Sequence, residues 1–281
     1  MKRSEETDSK QAKLWNGAAG AAWVEYQDML DRMFHPFAEI LIESACSRSA
    51  TRVLDVGCGA GATTLGLAHR IAGAGRCTGV DISEPMLEAA AARAKSAGLD
   101  VGFIRADAQT YPFEPAMYDM IVSRFGVMFF DDPVRAFSNL RNAARPGAGL
   151  HFISWRGPQD NPFMVTAEQA AAPLLPGLPA REPDAPGQFG FADGERVRRI
   201  LEKSGWSGIG IHPLDIECGF PASELTGYFT RFGPLAQALQ DLDDLTRKRV
   251  IQTVSDAFAP YVRGDQVRFT AACWSVVAEA A

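Results

Sequence analysis

Residues 53–68 read VLDVGCGAGATTLGLA. The run RVLDV at 52–56 has the length and apolar content of a buried strand, and it passes through Gly57, Gly59 and Gly61 into a helical stretch over about 61 to 72. Glycines at such a turn let the backbone bend tightly and approach a ligand, while the helix behind them opens its free N–H groups towards it.

The same alternation continues outward. CTGVD (77–81) reads as the next strand, followed by a helix over about 84 to 97; VGFIRAD and DMIVS are two more strands; a helix over about 132 to 145 leads through a turn at Arg145, Pro146 and Gly147 into GLHFISW. Short apolar strands alternating with helices call for a parallel sheet covered on both faces. The fold class is therefore α/β and doubly wound, and in such sheets ligands lie at the carboxyl ends of the strands.

Acids stand at those ends. Asp81 closes the second strand, 22 residues after Gly59, where a carboxylate can accept two hydrogen bonds from a ribose diol. The turn alone leaves the ligand open, because Gly57-x-Gly59-x-x-Ala62 also satisfies the dinucleotide pattern. Asp55 separates the readings. A carboxylate at the end of the first strand repels a pyrophosphate and pairs with a cationic amino-acid tail, which favours S-adenosylmethionine over NAD.

Over residues 50 to 156 the chain resembles the class I S-adenosylmethionine-dependent methyltransferases, in particular the broad group related to the ubiquinone/menaquinone C-methyltransferases. DVGCGAG, with Asp81 and Asp107 at family-like distances, carries the resemblance. It implies that Asp55, Gly57, Cys58, Gly59 and Gly61 cradle the methionine moiety, that Asp81 binds the ribose with Ile82 and Met86 packing on the adenine, and that Asp107, beside Ala108, meets the adenine amino group. By the same resemblance, Ser123, Arg124 and Phe125 of SRFGVMFF are candidates to lie under the transferring methyl group. The segment LWNGAAGAAW resembles the family's leading segment, which folds over the cofactor. Trp15, Asn16 and Trp23 are thus candidates to shield the sulfonium, against the plainer alternative that the tryptophans only pack on the sheet.

The resemblance also implies an antiparallel edge, which IGIHPLDIE and VRFTAACWS would fill, giving a mixed seven-stranded sheet of Rossmann-like methyltransferase type with a helical lid and insertion. The expected organisation is an N-terminal helical lid segment at 1–48, a cofactor-binding core at 49–156, an insertion or substrate cover with a helix at 157–208, and C-terminal strands and helices at 209–281 that complete one domain. Residues 1 to 13 are polar and expected to fray. Met29, Leu30, Met33, Phe34, Phe37, Ile40 and Leu41 recur at helical spacing, with Pro36 expected to kink or divide that helix. The stretch 157 to 192 is dense in proline and reads as a linker or as an insertion over a site; after it Asp193 is a candidate N-cap and Gly205 a candidate stop.

No metal set is visible. The five cysteines are dispersed without a C-x-x-C pair and read as reduced, space-filling thiols, Cys58 included. His35, nearest the expected lid, and Arg124, which could anchor an acidic substrate or pair with Asp131 or Asp132, are the candidate catalytic residues; His69, His151 and His212 read as structural. With 34 acidic against 28 basic residues and a formal net charge of −6, the chain lacks a general attraction for nucleic acid or anionic membranes. No apolar run reaches the length of a membrane span, and the charged start MKRSEETDSKQAK suggests a cytoplasmic protein. The expectation is a small-molecule methyltransferase using S-adenosylmethionine and releasing S-adenosylhomocysteine, with an apolar or aromatic acceptor near Phe163, Phe189, Phe191, Tyr228, Phe229 and Phe232. An NAD-dependent oxidoreductase and a non-catalytic S-adenosylmethionine-binding protein are the alternatives.

Overall fold

Short, nearly continuous apolar runs form the central strands, buried on both faces, and amphipathic helices return the chain between them. The computed structural model describes residues 10–178, 181–182 and 184–281. In chain order the elements are α1 (Lys10–Trp15), α2 (Ala18–Glu25), α3 (Gln27–Ser47), β1 (Arg52–Val56), α4 (Ala62–Arg70), β2 (Arg76–Asp81), α5 (Glu84–Ser96), β3 (Val101–Arg105), β4 (Tyr118–Arg124), α6 (Pro133–Ala143), β5 (Ala144–Trp155), α7 (Pro162–Ala171), α8 (Gly194–Lys203), β6 (Trp206–Pro221), α9 (Leu225–Arg231), α10 (Pro234–Ala238), α11 (Asp244–Ala257), β7 (Val262–Arg263) and β8 (Gln266–Ala280). The polar start, read as frayed, lies outside the described residues up to position 9.

The strands run in the order β3-β2-β1-β4-β5-β8-β6, and the short β7 pairs with β8 as an eighth member. Strands β1 to β5 are parallel and β8 is antiparallel to β5, the mixed sheet that the sequence predicts. Helices cover both faces. On β5, Trp155 packs against Phe34 and Phe37 of α3, whereas Phe152, an odd number of residues away and so on the other face, packs against Phe137 of α6. Among the described residues no helix is long and apolar enough to cross a membrane.

The chain divides into two compact units, residues 1–156, 184–214 and 273–281 in the first and 157–183 with 215–272 in the second. The second has its own aromatic core. Phe163 of α7 stacks on Phe269 of β8 with ring centroids 3.9 Å apart, and Phe258 and Tyr261 close around it. Asn161 bonds to Ala272 like a strand neighbour, its side-chain oxygen accepting from the backbone N–H and its amide donating to the carbonyl, both at 2.9 Å.

Three local expectations change. Pro36 lies inside one 21-residue helix and does not divide it, since the buried stripe Met29, Leu30, Met33, Phe34, Phe37, Leu41 holds α3 together through the missing hydrogen bond. The turn at Arg145 to Gly147 is an irregularity within β5, where pairing shifts from Tyr118 with Ala144 to Met120 with Gly149. The proline-dense stretch holds a regular helix, α7, because Pro162 stands at its first position, where a missing N–H costs nothing. Asp193 caps α8 through the Glu195 N–H as predicted, and Gly205 follows it at φ +82°.

Candidate functional site

The sequence-predicted cofactor residues gather at the carboxyl ends of β1 to β4, all in the first unit. Gly57 has φ +67°, and a Cβ there would sit 2.6 Å from the Cα of Gly126, so the turns after β1 and β4 touch backbone to backbone. Ser123 secures that contact: fully buried, it donates to the Val56 carbonyl at 2.7 Å and accepts from the Gly126 N–H at 3.2 Å. Gly61, at φ +85°, opens α4 without a side-chain cap of its own, and in the first turn the Thr64 N–H is turned to the Asp55 carboxylate.

Asp81 ties the ends of β1 and β2 together. One oxygen accepts from the Gly59 N–H and the other from the Ser83 N–H, each at 2.8 Å. Burial raises its pKa against the pull of these bonds. Met86 lies beneath Gly59, and Ile82 is half-buried at the rim. Cys58 fills the space over Gly79, and burial, with Asp81 and Asp55 adding to it, pushes its thiol well above the ordinary value, so it is packing and not a nucleophile. All five cysteines are free thiols.

Asp55 is buried at the end of β1 and accepts a 2.6 Å hydrogen bond from Thr64 of α4. Burial pushes its pKa up to about 6, while Thr64 and the Arg124 guanidinium draw it down. Burial thus outweighs the donors and charge around this carboxyl. Asp107, after β3, accepts from the Gln109 backbone N–H and from its side-chain amide, and the carbonyl of the adjacent, buried Ala108 accepts from Asn139 of α6.

Arg124 does not pair with Asp131 or Asp132. Its guanidinium turns to α3, donating to the Phe34 carbonyl at 3.4 Å, and burial lowers its pKa while Asp31 and Asp55 raise it. Asp132 instead caps α6 through the Arg135 N–H. Phe125 is a non-glycine at φ +63°, its ring stacked on Trp155 at 4.6 Å with Phe34 and Phe37 edge-on. His35 is exposed on α3, off the buried stripe. His151 is buried against Ser275 and held neutral, with its pKa lowered to about 4 by burial; His69 and His212 are exposed.

The leading segment is latched to the end of β2. Ser83 donates to the Trp15 carbonyl at 2.6 Å, Asn16 accepts from the Glu84 N–H at 2.9 Å, and the Asn16 amide donates to the Ile82 carbonyl at 3.1 Å. Trp15 meets Trp23 and Phe129 edge-on, which joins this segment to the turn after β4. Sequence reasoning missed Thr64, Ser83, Gln109 and Phe129, along with Asp31 and Arg93, whose side chains form an ion pair. Of these Ser83 carried a legible signal, a serine before Glu84 and Pro85 at a helix start.

A glycine cradle that admits only backbone, an acid at the end of β2 and a buried acid at the end of β1 stand together where a doubly wound α/β protein binds its ligand. A methyltransferase-domain family profile matches residues 53–147. A demethylmenaquinone methyltransferase of Thermus thermophilus is 30% identical over 159 residues, 54% of this chain and 72% of that protein. The chain belongs to the S-adenosylmethionine-dependent methyltransferases. An uncharacterised protein of Mycobacterium tuberculosis is 30% identical over 177 residues, and the match spans 62% of that relative's length. Among solved structures, the YcgJ protein from Bacillus subtilis shares the fold with TM-score 0.58 at 17% identity, covering 87% of this chain and 98% of that one.

Proposed function

We propose that the protein transfers a methyl group from S-adenosylmethionine to a small apolar or aromatic acceptor and releases S-adenosylhomocysteine. The observation that carries this reading is Asp55, a buried carboxylate beside the glycine cradle whose burial outweighs its Thr64 bonds and the Arg124 charge, and which a cationic ligand group would stabilise. When bound, the cofactor supplies an electrophilic methyl group on a sulfonium. The chain's part is to bind and orient it: the turn from Gly57 to Gly61 takes the methionine portion, Asp55 its ammonium, and Asp81 the ribose through lone pairs left beside the Gly59 and Ser83 bonds. Asp107 and Ala108 face the adenine edge, with Ile82 and Met86 on its flank. Trp15, Asn16, Trp23 and Phe129 exclude water from the sulfonium side. In-line attack by an acceptor oxygen, nitrogen or carbon then needs positioning and a dry site more than covalent help.

An apolar, planar acceptor is supported by the Thermus relative, whose name gives demethylmenaquinone as its substrate. The proposed aromatic lining needs revision. Phe163 and Phe229 are 1% exposed in the core of the second unit and Phe191 is buried on Phe137 and Phe152 in the first, so these three are packing; Phe189 of the first unit is half-buried, as are Tyr228 and Phe232 of the second. Free, dispersed thiols fit a reducing compartment, and we place the protein in the cytoplasm.

The test is S-adenosylhomocysteine release from a panel of quinone and phenol acceptors, alongside cofactor titration of Asp81→Ala. Charge-assisted bonds worth roughly 1.5 to 3 kcal/mol are lost in that variant, so donor affinity falls about ten- to a hundred-fold. Unchanged affinity overturns the ribose assignment, and binding without turnover on any acceptor overturns the proposed activity.

A further inference from the structure

Arg93 lies on α5, the helix that packs under the glycine turn, and it has two partners. One terminal nitrogen donates to the Ala60 carbonyl at 2.7 Å, and the other is bonded to the Asp31 carboxylate of α3. Three residues earlier on the same face of α5, Ala90 closes the turn from below, since a Cβ on Gly61 would lie 2.9 Å from the Ala90 Cβ. Helix α5 therefore meets the turn at consecutive points one helical turn apart, by shape at Gly61 and by charge at Ala60.

The Ala60 carbonyl sets the plane of the 60–61 peptide. In a planar trans peptide the carbonyl and the N–H point opposite ways, so holding this carbonyl outward on Arg93 turns the Gly61 N–H inward, where it bonds to the Cys58 carbonyl at 2.9 Å. That closed turn presents the N-terminus of α4. On the other side, Arg93 and Arg124 converge on one turn of α3, at Asp31 and at the Phe34 carbonyl. Asp31 and Arg93 are 29% exposed or less, so water screens the pair only in part.

We propose that Arg93, oriented by Asp31, is a positioning residue that holds the 60–61 peptide in the donor-binding form and couples the placement of α3 to donor affinity. The proposal rests on reading the glycine turn as the donor site, so Asp81→Ala is its control. A lysine offers its donors from one nitrogen and lacks the planar fork with which the guanidinium meets Ala60 and Asp31 through two. Arg93→Ala and Arg93→Lys each weaken S-adenosylhomocysteine about ten-fold by calorimetry, Asp31→Asn weakens it by a few fold, and the Asp31→Asn/Arg93→Ala double variant is no weaker than Arg93→Ala alone.

Titrations are made well below each variant's Tm, and Arg93→Lys with Asp31→Asn decide the matter where Arg93→Ala does not fold. Hydrogen exchange supplies a readout that simple loss of stability does not move. In the wild type, S-adenosylhomocysteine slows exchange over residues 57–65 and also over 27–35; in Arg93→Lys the second protection disappears while the first remains. Wild-type affinity in both decisive variants, additive effects in the double variant, or no wild-type protection of 27–35 each overturns the proposal. A wild type that does not bind, or an Asp81→Ala variant that binds as well as the wild type, removes the donor-site reading beneath it.

Discussion

Two carboxylates, Asp119 half-buried and Asp55 buried, sit at opposite ends of the same pair of adjacent strands and are treated in opposite ways. Asp119, near the start of β4, accepts from the Thr51 N–H, the Thr51 hydroxyl and the Arg52 N–H, each at 2.9 Å, and is paired with Arg145. Burial raises its pKa, but these donors prevail and hold it below the ordinary value. Asp55, at the far end of β1, is more deeply buried, and burial outweighs the hydroxyl and backbone N–H of Thr64, so its pKa stays raised, at about 6. A saturated carboxylate fastens strands to the chain that enters them. One whose burial outweighs its donors is open to pairing with a cation from outside.

The difference is one of backbone as much as charge, and the largest expected effect breaks it there. Gly57→Ala places a Cβ against the Cα of Gly126 at 2.6 Å in a left-handed conformation, and neither atom belongs to a side chain that can turn away. The strain and the overlap together cost roughly 2 to 5 kcal/mol. Donor binding is lost in calorimetry and the urea midpoint falls. A variant that binds normally would show that the turns after β1 and β4 need not touch.

Asp119→Ala acts at the other end, and its effect is confined to stability. It leaves two N–H groups and a hydroxyl without their acceptor and removes the partner of Arg145, a loss of roughly 2 to 4 kcal/mol, while donor affinity stays within about two-fold. The pH dependence has a definite sign. A carboxyl whose folded pKa is depressed contributes stability above its unfolded pKa and loses it as pH falls through the folded value, so the gap between wild type and Asp119→Asn closes below about pH 4. A weakened donor in this variant would mean that the two ends of the sheet are not independent.

The sequence reveals these two ends unequally. The glycine turn and Asp55, Asp81 and Asp107 are legible because each stands at the end of a short apolar run, where local pattern fixes position. Asp119 shows in the sequence only as the first letter of a strand, because its donors come from Thr51 and Arg52, 68 and 67 residues earlier. Arg93 and Asp31 look like ordinary charges on helix surfaces, and their meeting across 62 residues depends on how α3 and α5 pack. The φ of Phe125 has no sequence signature, since the ring that tolerates it is fixed by Trp155 from another strand. Helix α7 was hidden by the same prolines that start it. Patterns local to one element are readable from one chain, whereas contacts that several elements make together are not.

The smallest effect is the most discriminating, because it separates stability from binding by sign. Asp55 has a folded pKa of about 6, above its unfolded value, so its charge opposes folding. That cost is absent below about pH 4, grows between pH 4 and 6, and is complete above 6. Asp55→Asn, which keeps an acceptor for Thr64, is therefore as stable as the wild type at pH 4 and more stable at pH 7, by an amount of order 2 to 3 kcal/mol, or a Tm higher by several degrees. Donor affinity moves the other way: in the wild type it tightens as pH rises through about 6, because the ammonium pairs with the ionised carboxylate, and in Asp55→Asn it is weaker at pH 7 and nearly flat. Calorimetric titration of S-adenosylhomocysteine between pH 5 and 8, with melting curves of the same samples, reads both signs at once. A variant that loses stability at pH 7 would place Asp55 with Asp119 among the fasteners of the sheet; one that gains stability while keeping its donor affinity would leave the cationic tail to be held elsewhere.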